Sequence, residues 1–109
     1  MKHNVTAIIF SKKGQVLSIG RNNYIKTHPL QALHARKVGE PEKHFIHAEI
    51  DAIIRCRKMH LAHKIHVYRF DKKGNERLAK PCNICMSAIK AFNIKHVFYT
   101  ENRTCEKKL

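Results

Sequence analysis

The sequence contains no tryptophan, three prolines, four glycines and only eight acidic residues in 109. No Pro/Gly/Ser-rich linker, low-complexity tract or internal repeat divides it, so we expect a single domain over residues 1–109. Its apolar runs are too short to span a bilayer or to form the core of a signal peptide. We therefore expect no membrane association and a cytoplasmic location.

The scarcity of acids leaves 22 lysines and arginines against 8 aspartates and glutamates, a net charge of +14. A field of this sign attracts phosphates equally on a mononucleotide, on RNA or on DNA. Proteins that bind single strands usually also expose aromatic stacking surfaces. Most aromatic residues fall in predicted core elements instead, namely Phe10, Tyr68, Phe70, Phe92, Phe98 and Tyr99. This leaves Tyr24 and Phe45 as exposed candidates and argues against a polynucleotide substrate.

Four cysteines without a secretory signal are typical of free thiols or metal ligands rather than of a disulfide framework. Cys82 and Cys85 form a Pro-Cys-x-x-Cys motif. Cys56 and Cys105 are expected to be incidental thiols.

The first third of the chain predicts a β-hairpin followed by a long loop. Residues 5–10 and 16–19 form the two predicted strands, and the first looks buried on both faces. Residues 20–43 are predicted to be a functional loop that contains a short helix. One face of that helix is expected to be shared by Leu30, Leu33, His34 and Lys37.

The second half predicts a helix, a strand, a helix and a strand, which together make a parallel crossover within an α/β fold. Isoleucines recur at helical spacing, so residues 47–59 are predicted to form an amphipathic helix. A strand is expected at 65–70, a helix from Pro81 to about Asn93, and a last strand at 95–99. The buried stripe of the second helix is expected to be Ile84, Ala88, Ile89 and Phe92.

One histidine and two thiolates form a common ligand set for catalytic zinc, which leaves the fourth tetrahedral position for water. His47, Cys82 and Cys85 supply this set for one zinc ion per chain, and Glu49 lies two residues after the histidine. A carboxylate so close can exchange protons with that water. A thioredoxin-like redox pair and a purely structural zinc site remain alternatives for the two cysteines.

These motifs resemble those of the zinc-dependent cytidine and deoxycytidylate deaminase superfamily, in which His-Ala-Glu is followed by Pro-Cys-x-x-Cys. The likeness runs over about residues 5–99. Residues 41–49 and the Gly20-Arg21-Asn22 segment are closest to the deoxycytidylate deaminase branch. The resemblance implies a cytidine-deaminase-like three-layer α/β/α sandwich with a mixed sheet, shortened at its C-terminal edge. A homo-oligomer is expected to cover that edge.

The resemblance also implies roles for individual residues. His47, Cys82 and Cys85 would hold the zinc, Glu49 would shuttle protons, and Asn22 would contact the sugar. Zinc-activated water would then attack C4 of cytosine and release ammonia. Ala48 is expected to offer a backbone N–H to the pyrimidine oxygen. The phosphate is expected to meet basic residues of the loop, with Arg21, Lys26, Arg36 and Lys43 as candidates.

The resulting hypothesis is hydrolytic deamination of a cytosine nucleotide, with dCMP preferred over CMP or the nucleoside. Two alternatives remain: a deaminase of single-stranded DNA or RNA, and a non-catalytic zinc-stabilised nucleic-acid-binding module in which Glu49 caps a helix. Six of the other histidines are expected to be solvated or to pack in loops rather than to bind a second metal. They are His28, His34, His44, His60, His63 and His66.

Overall fold

A mixed four-stranded sheet forms the centre of the protein in the computed structural model, which describes residues 4–23, 25–43 and 45–101. β1 (Val5–Ser11) pairs antiparallel with β2 (Val16–Arg21), as the predicted hairpin requires, and on its other side with β3 (Ala62–Arg69). β4 (His96–Tyr99) runs parallel to β3. The strand order is therefore β2-β1-β3-β4.

Two strands are longer than their apolar runs predicted. β2 continues to Arg21, which pairs with Thr6, and β3 begins at Ala62, which pairs with Ser11. Strand length here follows the backbone ladder on β1, because ladder hydrogen bonds do not depend on whether a side chain is apolar.

Three helices complete the fold: α1 (Pro29–Lys37), α2 (Ala48–Arg55) and α3 (Asn83–Ala91). The prediction of a helix to residue 59 was wrong, because Cys56 adopts an extended backbone and a separate 3-10 turn follows at Met59–Leu61. The expected stop at Asn93 is confirmed, since this residue has φ 60°, a left-handed conformation that asparagine tolerates. None of the helices in the described ranges is long and apolar enough to cross a bilayer.

The core lies between one face of the sheet and helices α2 and α3. Ala7 and Ile9 of β1 are fully buried there, whereas Ile8 and Phe10, which point the opposite way, are only partly buried. The expectation that the first strand is buried on both faces was therefore wrong. The α/β class and the mixed sheet are confirmed. The described residues form two of the three expected layers, because α2 and α3 pack into one core and α1 packs against α3.

The buried residues of α1 overlap at one position only, His34, with the face that the sequence analysis expected four residues to share. Gln31, His34 and Ala35 are the buried residues, whereas Leu33 is 41% exposed. The Nδ1 atom of His34 lies 2.7 Å from the hydroxyl of Ser87, which links α1 to α3. A polar contact between helices, rather than an apolar stripe, therefore fixes the orientation of α1.

The amino end of α2 lies unusually close to β2. A Cβ atom on Gly20 would collide with the backbone of Ala48 and Ala52, so only glycine fits there. Beside it, the Ser18 hydroxyl donates a 2.7 Å hydrogen bond to the carbonyl of Ala52. These contacts fix the start of α2 against the sheet, and with it the residues just before the helix.

Candidate active site

His47 and Cys82 are both helix N-cap residues. His47 precedes α2 and Cys82 precedes α3, each with an extended backbone (ψ 157° and 175°). The predictions that His47 lies inside the first turn and that Pro81 begins the second helix were therefore wrong by one and two residues. The N–H groups of a first helical turn have no partner within the helix, so two sets of such donors begin beside these side chains.

The three expected zinc donors lie together. His47 Nδ1 is 3.3 Å from Cys85 Sγ and 3.5 Å from Cys82 Sγ, and all three donor atoms lie within 4.8 Å of one another. Zn–N and Zn–S bonds of about 2.05 and 2.3 Å would give an N···S edge of about 3.6 Å in a tetrahedron. The arrangement therefore fits a zinc ion. Within the described part of the chain, it is the one cluster of three or more such side chains with this spacing.

The three side chains also perturb one another's protonation. The hydrogen bond from the Cys85 thiol, assisted by His47, lowers the pKa of Cys82 to about 3. The same bond, together with burial, raises the pKa of Cys85 well above its usual value. The contact with Cys82 raises the pKa of His47. Of the three donors, Cys82 thus loses its proton most readily, whereas Cys85 and His47 would have to release theirs when a metal binds.

Glu49 is buried beside this cluster. Only 6% of the residue is exposed, and its carboxyl is within hydrogen-bonding reach of the Cys85 thiol. Burial raises the pKa of this carboxyl, although its own backbone N–H and the charge of His47 oppose the shift. A carboxyl that is less acidic than usual can take up a proton and return it near neutral pH. Glu49 is not a member of the donor cluster, so this role does not compete with coordination.

A cavity of about 470 Å³ opens onto the cluster, a volume within the usual range for small-ligand sites. Its lining includes His47, Glu49 and Cys82. Three cationic side chains border it, Lys43, Lys80 and Arg69, against one exposed carboxylate, that of Glu42. The cavity therefore combines a buried acid and metal donors with positive charge.

The predicted substrate residues divide into two groups. Asn22 and Ala48 line the cavity, and the side-chain oxygen of Asn22 accepts a hydrogen bond from the N–H of Val5. Arg21 and Lys26 are exposed and do not belong to its lining. The Arg21 backbone N–H instead donates to Asp51, which holds the end of β2 against α2.

The basic residues at the cavity are thus largely different from those expected. Of the four loop candidates only Lys43 lines it, while Lys80 was missed. The sequence did contain a signal for Lys80, because this residue directly precedes Pro81 and Cys82. The same short segment that carries the metal donors therefore also carries a cation.

Gln31 was missed altogether. It is fully buried, its side-chain oxygen accepts a 3.1 Å hydrogen bond from the N–H of His47, and its amide donates a 3.0 Å bond to the carbonyl of Lys43. The side chain of Gln31 thus holds both ends of the segment from Lys43 to His47, which leads into the donor histidine. The available signal was its spacing of three residues from His34, which places both on the buried face of α1.

The remaining histidines that the structure describes make contacts within the protein, but not all of them are solvated or in loops, since His34 is buried in α1 and His66 lies in β3. His28 caps α1 by accepting a hydrogen bond from the N–H of Leu30, and His34 contacts Ser87. His66 packs among the rings of Phe10 and Phe98. None of the described histidines other than His47 belongs to a metal-donor cluster. His44, with Tyr24 and Cys105, lies outside the described residues.

Comparison with known proteins agrees with this geometry. The family model for the cytidine and deoxycytidylate deaminase zinc-binding region matches residues 1–101. An X-ray structure of guanine deaminase from Bacillus subtilis is similar in fold, with a TM-score of 0.50 and 22% identity, covering 89% of this chain. The chain spans about half of that protein, 49% of its length. No match was found among curated proteins.

Proposed function

Because this chain belongs to the family defined by the cytidine and deoxycytidylate deaminase zinc-binding region, we propose that it is a zinc-dependent hydrolytic deaminase of a cytosine nucleotide, with dCMP preferred. One observation carries the proposal. A single cavity is lined by two of the three zinc donors, by the buried carboxyl of Glu49 and by lysines suited to a phosphate. A cytoplasmic location and a homo-oligomer remain predictions from the sequence.

His47, Cys82 and Cys85 would hold one zinc ion per chain. When bound there, zinc would supply a water molecule of lowered pKa as the nucleophile. Burial of Cys85 and partial burial of the other two donors exclude bulk water from most of the site. The open cavity leaves access on the side from which substrate enters.

Glu49 would move the protons. Its carboxylate takes a proton from the attacking water and passes protons to N3 of the cytosine ring and to the departing amino group. The C4–N bond breaks, ammonia leaves, and the oxygen of water remains at C4 as the uracil carbonyl. The raised pKa of Glu49 suits this exchange, because the carboxyl holds a proton more readily than one in water.

The ring and the sugar would be placed by the residues at the start of α2 and the end of β2. Ala48 lies in the first turn of α2, where N–H groups have no helical partner and can donate to the pyrimidine oxygen. Asn22 follows β2 directly and borders the same cavity, which suits a contact with the sugar.

Lys80 would be the main contact of the phosphate. It is exposed at the cavity and precedes the Pro81-Cys82 segment. Lys43 also borders the cavity, but its ammonium forms a 2.6 Å ion pair with Glu40. A phosphate would therefore compete with Glu40 for Lys43. The assignment replaces Arg21 and Lys26, which the structure leaves outside the cavity lining.

The test is ammonia release from dCMP, CMP, cytidine, guanine and cytosine-containing oligonucleotides. We expect the highest kcat/KM for dCMP. Lys80→Ala should raise the KM for dCMP by about tenfold or more, since bonds to charged groups contribute about 1.5–3 kcal/mol, and should leave cytidine unchanged. Lys90→Ala, an exposed lysine of α3 outside the cavity lining, is the matched control. Ammonia from oligonucleotides alone, or from guanine alone, would refute the assignment.

A further inference from the structure

The sheet face that points away from α2 and α3 carries a row of rings across three strands. We call it the ring face and define it by Phe10, His66, Tyr68, His96 and Phe98. Ring centroids lie 5.1 Å apart for Phe10 and His66, 4.8 Å for His66 and Phe98, and 5.9 Å for His66 and Tyr68. The residues that alternate with these along β3 point into the core, so the row is a surface and not a part of the helix-covered core.

The row is accessible. Phe98 is 48% exposed, His96 is exposed, and Phe10, His66 and Tyr68 are half-buried. This overturns the expectation that Phe10, Tyr68 and Phe98 lie in the core, and with it the sequence argument against binding of single strands. Adjacent bases of a single strand stack on side-chain rings of this kind, and every base offers a π face.

Cations gather at one end of the row. Lys64 lies over the Phe10 ring, with its ammonium 5.5 Å from the ring centroid, and Lys12 and Lys95 are exposed nearby. Lys95 directly precedes His96, which pairs with Lys64, and Lys12 directly follows the last residue of β1, so all three lysines lie at the same end of the sheet. Positive charge beside stacking rings is complementary to a chain of phosphates.

The opposite end of the row carries negative charge. Glu76 and Glu101 border a shallow cavity of about 210 Å³ together with Tyr68 and Phe98. Carboxylates there disfavour phosphates, so an anionic ligand is directed towards the lysine end. The ring face is thus polarised along its length, with cations at one end and carboxylates at the other.

We propose that the ring face is a binding surface for a single-stranded polynucleotide, whose bases stack on Phe98 and its neighbouring rings while its phosphates meet Lys12, Lys64 and Lys95. The surface lies on the side of the sheet opposite to the helices whose N-termini meet at His47 and Cys82. It is independent of the deamination proposed for the cavity and does not require cytosine.

The test is fluorescence anisotropy of the full chain with oligothymidylate and oligouridylate of about 16 nucleotides, the upper size of single-strand sites on small folds. Strands without cytosine keep the catalytic site out of the measurement. We expect binding that weakens with salt. Phe98→Ala should reduce the affinity by about tenfold. Phe70→Ala removes a ring that is 47% exposed but lies beyond Tyr68 at the acidic end, where it pairs with Glu76, and should reduce the affinity clearly less.

The salt dependence gives a second readout. Lys64→Ala should reduce the slope of log K against log salt by about 0.7, the value for one phosphate contact on a single strand. Preference for either the DNA or the RNA strand supports the proposal and identifies the sugar.

Four results would overturn it: no binding by the wild type, equal binding of a duplex of the same length, equal losses in Phe98→Ala and Phe70→Ala, or a dimer by sedimentation that Phe98→Ala converts to a monomer. The last would assign the ring face to a second copy of the chain. Retained zinc content in both phenylalanine variants shows that each has folded.

Discussion

The two faces of the sheet differ in what they pack against and in what they can bind. On the helix-covered face Ile9 and Ile65 are fully buried, and the helices above them begin at two of the zinc donors, His47 and Cys82. On the ring face their neighbours Phe10 and His66 form an accessible ring contact. Adjacent residues of one strand thus serve a rigid core on one side and a surface on the other, because side chains alternate along a strand.

The two faces also differ in how precisely their side chains must be positioned. The donor cluster depends on atoms held within a few tenths of an ångström, and it is supported by buried contacts such as those of Gly20 and Gln31. A stacking surface tolerates small shifts, because it makes no directional bonds to its ligand. Substitutions on the two faces should therefore differ in their effect on stability and on zinc affinity.

The largest expected difference is between two adjacent isoleucines of β1. Ile9→Ala removes a fully buried side chain and should lower the free energy of unfolding by about 2–5 kcal/mol. Ile8→Ala, on the ring face, removes a partly buried one and should cost clearly less. Urea denaturation of both variants measures the difference. Equal losses would mean that the ring face is covered in solution.

A smaller effect is expected at the support of the donor histidine. Gln31→Met keeps the volume but leaves the His47 N–H and the Lys43 carbonyl without their side-chain partner, which should cost about 1–3 kcal/mol. If Gln31 positions the donor, zinc affinity should also fall by about tenfold. Metal competition titration measures this, with Gln15→Met at an exposed turn as the control. A loss of stability with unchanged zinc affinity would make Gln31 structural only.

The smallest effect concerns pH and the contact between α1 and α3. Burial first, and the charge of Lys37 second, lower the pKa of His34 below the usual value for histidine. His34 therefore binds a proton more readily in the unfolded chain than in the folded one. As a result, the free energy of unfolding decreases as the pH falls below about 6.5. Denaturation between about pH 7 and pH 5 should show a weaker decline in His34→Gln than in the wild type. His60→Gln, at an exposed position, should follow the wild type.

The sequence predicted the donor set well because its chemistry is local. His47, Cys82 and Cys85 are each recognisable from residue type and from a neighbour within three positions. The end of α3 at Asn93 was predictable for the same reason, since a left-handed φ favours asparagine.

What could not be predicted depends on contacts distant in sequence. The apolar run of β1 does not reveal that only one of its faces is covered by the described helices. Gln31 reaches His47 across 16 residues, and Lys80 reaches the cavity through the turn before α3. The helix starts were misplaced by one and two residues, because His47 and Cys82 adopt an extended N-cap backbone that residue type alone does not reveal.

The central claim is that Glu49 moves protons beside a zinc ion that it does not hold. The direct measurement is dCMP turnover together with zinc content in Glu49→Gln. We expect one zinc per chain, as in the wild type, and a loss of turnover of about 10²–10⁴-fold. Asp51→Asn, which changes a carboxylate of the same helical turn that holds Arg21 and Arg55 instead, should keep its activity. Near wild-type turnover in Glu49→Gln would contradict the account, as would loss of its zinc.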